Sequence, residues 1–373
     1  MDFALNEQQE MMQALAKDFL MDEYTDKVLK ATVAEDDHNA ELWQKIAAIN
    51  LTGLGIPEEY GGFGDFLDLV VVLEEMGRAC FISPFFSSVV LGVSTVIEAG
   101  SEEQQQQYLP GIAEGKYIIT LALTEESGKY TPESIQIKAE QQGSDYIING
   151  RKIFVTDAQA ADHLVCAART GVNDENDRGI TLFILDINTD RIKVNPLRTV
   201  SGDKMCEVVF DNVKVGDDSI LGEKDNGWPY LVKVLQKANV ARCAEMVGLS
   251  RQALNFSLEY AKERIAFGHP IGAFQSIQHR CADMLIDIDG ARFITYRAAW
   301  KIKEGLPAEK DVAIAKAWVS HASRRVMKSA HQVHGAIGFS EDHILHYYTK
   351  KARFNESCFG DADFQLEQLI RLY

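Results

Sequence analysis

Two carboxylates stand out for their neighbours. Glu245 lies in the run Ala244–Glu245–Met246–Val247, with Arg242 three residues earlier. A glutamate among apolar neighbours is driven toward burial, which raises its pKa toward that of a general base. The same spacing suits a helical ion pair with Arg242, in which the carboxylate is structural. Asp361 follows Gly360 just before the apolar-periodic run from Phe364 to Leu372. It is either a second candidate base or the N-cap of that last helix, and Asp363 is a weaker one. His331, His334, His343 and His346 cluster in sequence. His343 and His346 have a spacing that metal sites use, but no third ligand at fitting distance follows, so no metal is expected. Lys350, Lys351 and Arg353 form a small basic patch that reads as a solvated face. The cysteines (Cys80, Cys166, Cys206, Cys243, Cys281 and Cys358) are far apart and form no C-x-x-C pair. That argues against a zinc site and a disulfide framework, and for a reducing, cytoplasmic location.

The elements that must position these residues belong to a chain of 373 residues, long enough for two or three domains. Hydrophobic residues make up 46% and charged residues 25%, the composition of a globular protein. The net charge of −17 and the lack of a basic stripe exclude a nucleic-acid partner. No apolar run is long enough to span a membrane, and Met1–Phe3 lacks the features of a signal peptide. The first hundred residues read as helices, starting from a capping-box pattern at Asn6 and Gln9. Strand-like runs follow at Ile118 to Leu123, Tyr146 to Ile148, Lys152 to Thr156, Leu164 to Ala168, Thr181 to Asp186 and Glu207 to Phe210. Asn149-Gly150, between two of them, predicts a hairpin turn. Their spacing predicts a compact antiparallel β domain. Long helical patterns then cover Val234 to Arg264, Phe274 to Gly305 and Val312 to His331, as in a helical bundle, with Trp300 and Trp318 in the core. The expected architecture is α+β and multidomain: a helical domain over 1–115, a β domain over 116–222 and a helical bundle over 223–373.

Four segments make this order specific. They are YAKERIAFGHPIGAFQ from Tyr260 to Gln275, AHQVHGAIG from Ala330 to Gly338, ALTE from Ala122 to Glu125 and NGRKIFVT from Asn149 to Thr156. In this order, over essentially the whole chain, they resemble the acyl-CoA dehydrogenase family. The resemblance implies an N-terminal α-helical domain, a middle β-barrel-like domain and a C-terminal four-helix bundle, with FAD between the last two. It implies α,β-dehydrogenation of an acyl-CoA thioester: a base takes the α-proton while a hydride leaves the β-carbon for flavin N5. It also implies an electron-transfer flavoprotein as acceptor and a tetramer in which neighbouring subunits share each FAD site. By the same resemblance Thr124, Phe154 and Thr156 meet the isoalloxazine ring, with Phe154 where tryptophan is usual. Arg264, Phe267 and Gln275 match the R-x-x-F-G…Q pattern, whose planar, always-charged guanidinium suits a diphosphate. Gln332 and Gly335 match the Q-x-x-G-G loop, with Ala336 in place of its second glycine.

The departures from the family lie at the substrate end. The loop Glu126 to Glu133, ESGKYTPE, replaces the usual P-G-x-G-S-D, and Tyr130 falls near the usual serine. Phe359 stands where most members carry the glutamate base. Ala238 and Asn239 fill the alternative Glu-Arg location. The remaining catalytic candidates are Glu245, two helical turns after Ala238, with Arg242 as its partner, and Asp361. The run F-G-D-A-D also resembles a branch whose members often form one half of a two-chain enzyme. The expected function is therefore FAD-dependent acyl-CoA dehydrogenation, by a homotetramer or by a heteromer with a related subunit. In the heteromer this chain is the non-catalytic or half-catalytic subunit that completes the FAD pocket.

Overall fold

The computed structural model describes residues 4–171 and 178–372. Met1–Phe3, read above for a leader, lie outside the described residues. The described chain forms two compact units: one of residues 4–30, 66–81 and 239–372, the other of residues 31–65, 82–171 and 178–238.

Among the described residues, six α-helices precede the first strand: α1 (Glu7–Glu23), α2 (Asp26–Ala34), α3 (Ala40–Ala48), α4 (Phe66–Arg78), α5 (Val93–Ala99) and α6 (Glu102–Ala113). The capping box at Asn6 and Gln9 opens α1 as its sequence predicts. Pro110 lies inside α6, which runs three residues further. Five helices follow the sheet: α7 (Trp228–Glu263), α8 (Gln275–Lys303), α9 (Glu309–His334), α10 (Leu345–Ser357) and α11 (Ala362–Arg371). The three long helical patterns appear as α7, α8 and α9.

In the first unit, α4 and α7 meet backbone to backbone. A Cβ on Gly77 would lie 2.1 Å from the Glu245 carbonyl oxygen, and one on Gly248 would lie 1.9 Å from that of Glu74. Only glycine permits this approach. Glu74 anchors the crossing from α4: its Oε2 accepts from the Tyr296 hydroxyl at 2.8 Å and from Arg292 Nε at 3.0 Å, both on α8. Trp318 on α9 departs from its expected place in the core. It is 48% exposed and carries the Arg325 guanidinium 5.6 Å from its ring centre.

The second unit holds one eight-stranded sheet: β1 (Ile119–Ala122), β2 (Lys138–Gln142), β3 (Asp145–Thr156), β4 (His163–Arg169), β5 (Ile180–Asp186), β6 (Ile192–Leu197), β7 (Met205–Gly216) and β8 (Ile220–Leu221). The order is β6-β7-β3-β2-β4-β5-β8, with β1 paired to β4. The β1–β4 pair is parallel, unlike the all-antiparallel expectation; the long excursion through β2 and β3 supplies the crossover that a parallel pair requires. β4 and β5 are buried along nearly their whole length, which explains their continuous apolar runs. Each fully buried Leu, Ile or Phe there contributes about 1.5–3 kcal/mol.

Asn149-Gly150 is not the predicted turn. β3 runs straight through it, and the pairing with β7 shifts register between Ile148 and Gly150. The dipeptide forms a bulge, with Gly150 at φ +139° and Asn149 Oδ1 accepting from Asn212 N at 2.7 Å. The hairpin turns instead between β2 and β3, where Gly143 has φ +67°.

The cysteines are free, and all but Cys281 are buried. Burial pushes the thiols of Cys166 and Cys243 up to about 12 and that of Cys206 to about 11, which leaves them inert. No helix among the described residues is long and apolar enough to cross a membrane.

Candidate functional site

The residues expected to meet the flavin ring lie in the second unit. Thr124 lies two residues past the end of β1 and is 8% exposed; its carbonyl accepts from Ile153 N at 2.9 Å, which ties it to β3. Thr156 ends β3, with its carbonyl accepting from Thr120 Oγ1 at 2.6 Å. Phe154, between them, sits at a second irregularity of β3 with φ +53° and is 53% exposed. That backbone conformation is rare for an aromatic residue and marks a locally enforced geometry. Lys152 holds the neighbouring loop: its buried Nζ donates to Glu125 Oε1 at 2.7 Å and to the Leu123 carbonyl at 3.0 Å. A cavity of about 500 Å³ beside this loop is lined by Glu125, Glu126, Glu133 and Glu140, against Lys138 and Arg151. Its acidity rejects phosphate.

The residues expected to meet the nucleotide lie in the first unit, and they are exposed. Arg264 closes the last turn of α7, Gln275 opens α8 and Gln332 sits on the last turn of α9. Arg264 makes no ion pair among the described residues. Phe267 is 93% exposed at φ +53°, edge-on to Phe274 at 6.1 Å. Gly335 ends α9 at φ +62°, and a Cβ placed on it would meet nothing within 4 Å. Arg264, Gln275 and Gln332 are thus exposed, with no side-chain hydrogen bond or ion pair among the described residues.

The candidate base region is the opposite. Arg242 and Glu245 are 1% and 5% exposed. Arg242 Nη1 donates to Glu245 Oε2 at 2.6 Å and to Asn355 Oδ1 at 3.2 Å, and Asn355 Nδ2 donates to Glu245 Oε2 at 2.9 Å. The geometry is that of the structural ion pair. Lys316, fully buried, donates to the carbonyls of Asn355 and Cys358, each at 2.7 Å, and burial pushes its ammonium below the usual lysine range. This clamp fixes the turn after α10, where Phe359 has φ +57° and Gly360 φ +93°. Asp361 caps α11, its Oδ1 accepting from Phe364 N at 3.0 Å. Ala238 is fully buried on α7.

Asn355 and Lys316 were not singled out from the sequence. Lys316 left a signal, a lone lysine in the apolar run AIAKAWV. The basic patch reading needs correction. Lys351 is 4% exposed, whereas Arg353 stays exposed, as expected, and pairs with Glu356 at 2.9 Å; the helical turn points them to different sides of α10. The four histidines are mostly buried and stack among aromatic rings: His334 on Tyr260, His331 on Phe339, and His343 edge-on to His334. No cluster among the described residues has the ligands for a metal ion.

Comparison with known proteins identifies the family. Models of the acyl-CoA dehydrogenase N-terminal, middle and C-terminal domains match residues 6–116, 120–213 and 225–372. The probable acyl-CoA dehydrogenase YngJ of Bacillus subtilis is 30% identical over 99% of this chain and 98% of its own length. The structure of butyryl-CoA dehydrogenase from Megasphaera elsdenii superposes with a TM-score of 0.93 at 29% identity, covering 100% of this chain and 99% of the other. The ChsE4–ChsE5 complex from Mycobacterium tuberculosis gives a TM-score of 0.90 at 29% identity, covering 100% and 98%. The chain therefore belongs to the acyl-CoA dehydrogenase family, FAD-dependent oxidoreductases that act on acyl-CoA thioesters.

Proposed function

We propose that this protein serves the FAD-dependent α,β-dehydrogenation of an acyl-CoA thioester as the subunit that completes a flavin site, with the base supplied by a related partner chain. The supporting observation is that both candidate carboxylates are already engaged. Glu245 is bound by Arg242 and Asn355, and Asp361 caps α11. Protonating Glu245 would strand a buried guanidinium, so it is a poor acceptor for an α-proton. Phe359 has no group that can take one.

FAD, when bound, would supply a hydride acceptor for the β-carbon. Arg264 would hold phosphate oxygens, Gln275 and Gln332 would donate amide hydrogens to the nucleotide, and the bare face of Gly335 would let it approach the backbone. Thr124 and Thr156 would present hydrogen-bonding groups to the ring, and Phe154 would cover it. The ChsE4–ChsE5 complex, a relative made of two named chains, supports the heteromer. An electron-transfer flavoprotein is the proposed acceptor and the cytoplasm the proposed location.

Anaerobic titration of the purified, FAD-loaded chain with acyl-CoA esters tests this reading. Retained flavin that no ester reduces is expected. Reduction by an ester, lost in Glu245→Gln or Asp361→Asn, would instead make that residue the base and the chain a self-sufficient dehydrogenase.

A further inference from the structure

The end of β3 is bent twice against its own preference. Phe154 has φ +53° and Asp157 has φ +52°, so Thr156 lies between two left-handed residues. Both carry a Cβ that disfavours this backbone, and such a pair persists only where its surroundings impose it. β7 imposes it from one side: Val155 pairs with Cys206, Thr156 pairs with Met205, and Asp157 N donates to the Lys204 carbonyl at 2.8 Å.

The other side is held by a link that no strand pairing requires. Ser87, fully buried, donates its hydroxyl to Asp157 Oδ2 at 2.7 Å, across 70 residues of sequence. The Pro84 carbonyl lies 3.0 Å from the same hydroxyl, but its single proton favours the nearer, charged acceptor. Ser87 belongs to a π-helical turn, Phe86–Gly92, that runs into α5. Such turns are rare and concentrate at functional sites. This one is pressed onto β1: a Cβ on Gly92 would lie 2.6 Å from the Ile119 carbonyl oxygen, and Ser88 Oγ accepts from Ile119 N at 3.3 Å. The Ser87 hydroxyl is therefore fixed relative to the sheet.

Asp157 is 3% exposed, and a carboxylate that deep is tolerated only with hydrogen bonds and a cation nearby. Lys204 is that cation. Burial lowers its pKa, and Asp157 is foremost among the carboxylates that oppose the shift. Its Nζ donates to the Thr32 carbonyl at 2.8 Å, so the counter-charge is anchored too. The bent segment presents two groups. Phe154 is 53% exposed, and the Thr156 hydroxyl meets only Met205 Sδ, at 3.8 Å, among the described residues. Sulfur is a weak acceptor, so that hydroxyl is left for a better partner.

We propose that Ser87 and Asp157 are positioning residues, whose bond locks residues 154–157 so that Phe154 and Thr156 keep their places against the flavin ring. The ring's place rests on the flavin reading above; the tie between the π turn and the strand end does not.

The test compares wild type with Ser87→Ala, Asp157→Ala and Asp157→Asn, and with a core control, Val165→Ala, at a fully buried position of β4. Each is read for FAD affinity, for the visible circular dichroism of bound flavin, and for amide hydrogen exchange of residues 153–157 in the flavin-free protein. Ser87→Ala and Asp157→Ala should each weaken FAD binding about tenfold. Both should alter the flavin dichroism at saturating FAD and speed exchange in 153–157 about tenfold. Asp157→Asn keeps an acceptor for Ser87 and a side chain that tolerates the left-handed backbone, and should recover most of the wild-type signal. Val165→Ala should lower the melting temperature and leave the dichroism unmoved. Ser87→Ala leaves residue 157 intact and decides the matter if Asp157→Ala does not fold. Wild-type dichroism and exchange in Ser87→Ala, or the same changes in Val165→Ala, would overturn the proposal. If wild type takes up no FAD, the flavin reading falls. Faster exchange in Ser87→Ala would then still uphold the tie, and unchanged exchange would overturn it.

Discussion

The polar groups of the expected nucleotide cradle and those of the expected base region live under opposite conditions. Arg264, Gln275 and Gln332 are exposed and uncommitted, whereas Arg242, Glu245, Asn355 and Lys316 are buried and bonded to one another. A buried charge is tolerated only with its partners in place, so it cannot be spent on a substrate without large cost. An exposed cation at a rigid helix end has little to lose and a ligand to gain. On the proposed reading, the residues that would meet a cofactor stay available, while the candidate bases are structural ties.

The largest expected effect comes from cutting the buried network. Glu245→Gln should destabilise the protein by about 3–5 kcal/mol, seen as a lower denaturant midpoint, because it leaves Arg242 buried without its counter-ion. Little change in stability together with lost turnover would make Glu245 a base and erase the contrast. Gly248→Ala should cost about as much, since its methyl would overlap the Glu74 carbonyl. Arg264→Gln should do the reverse: stability within about 0.5 kcal/mol of wild type, but FAD retention through gel filtration reduced about tenfold.

A smaller effect comes from the histidines that pack the connection carrying Gly335. Burial holds the pKa of His331, His334, His343 and His346 below the ordinary histidine value. The unfolded chain therefore binds protons first as pH falls below about 6.5, and stability must fall with it. The groups facing the cluster are of both signs, with Asp26 and Glu341 against Lys30 and Lys350. Melting temperature should drop from pH 7 to pH 5 by more than in His343→Gln; equal drops would remove the cluster from the account.

Most of the element order was legible because hydrophobic period and capping chemistry are local. The family was legible because segments such as those holding Arg264, Phe267, Gln275, Gln332 and Gly335 keep a fixed motif. The errors share one cause, a local signal overridden by a distant partner. Asn149-Gly150 reads as a turn until Asn212 on β7 bonds Asn149 across the bulge. Lys351 reads as solvated until the fold leaves it only 4% exposed. Whether Glu245 was a base or an ion-pair partner turned on Asn355, 110 residues away. The left-handed backbones of Phe154, Phe267 and Phe359 have no sequence signature, because phenylalanine rarely adopts them.

The central claim is that this chain holds flavin yet lacks a base of its own, and one pair of spectra tests it. Wild type and Phe359→Glu, each loaded with FAD, are mixed anaerobically with the same panel of acyl-CoA esters, and the visible flavin absorbance is followed. The account predicts that the wild-type spectrum persists, while Phe359→Glu, with a carboxylate at the base position, is bleached by at least one ester at a rate about 10²-fold higher or more. Bleaching of the wild type at a comparable rate would contradict it.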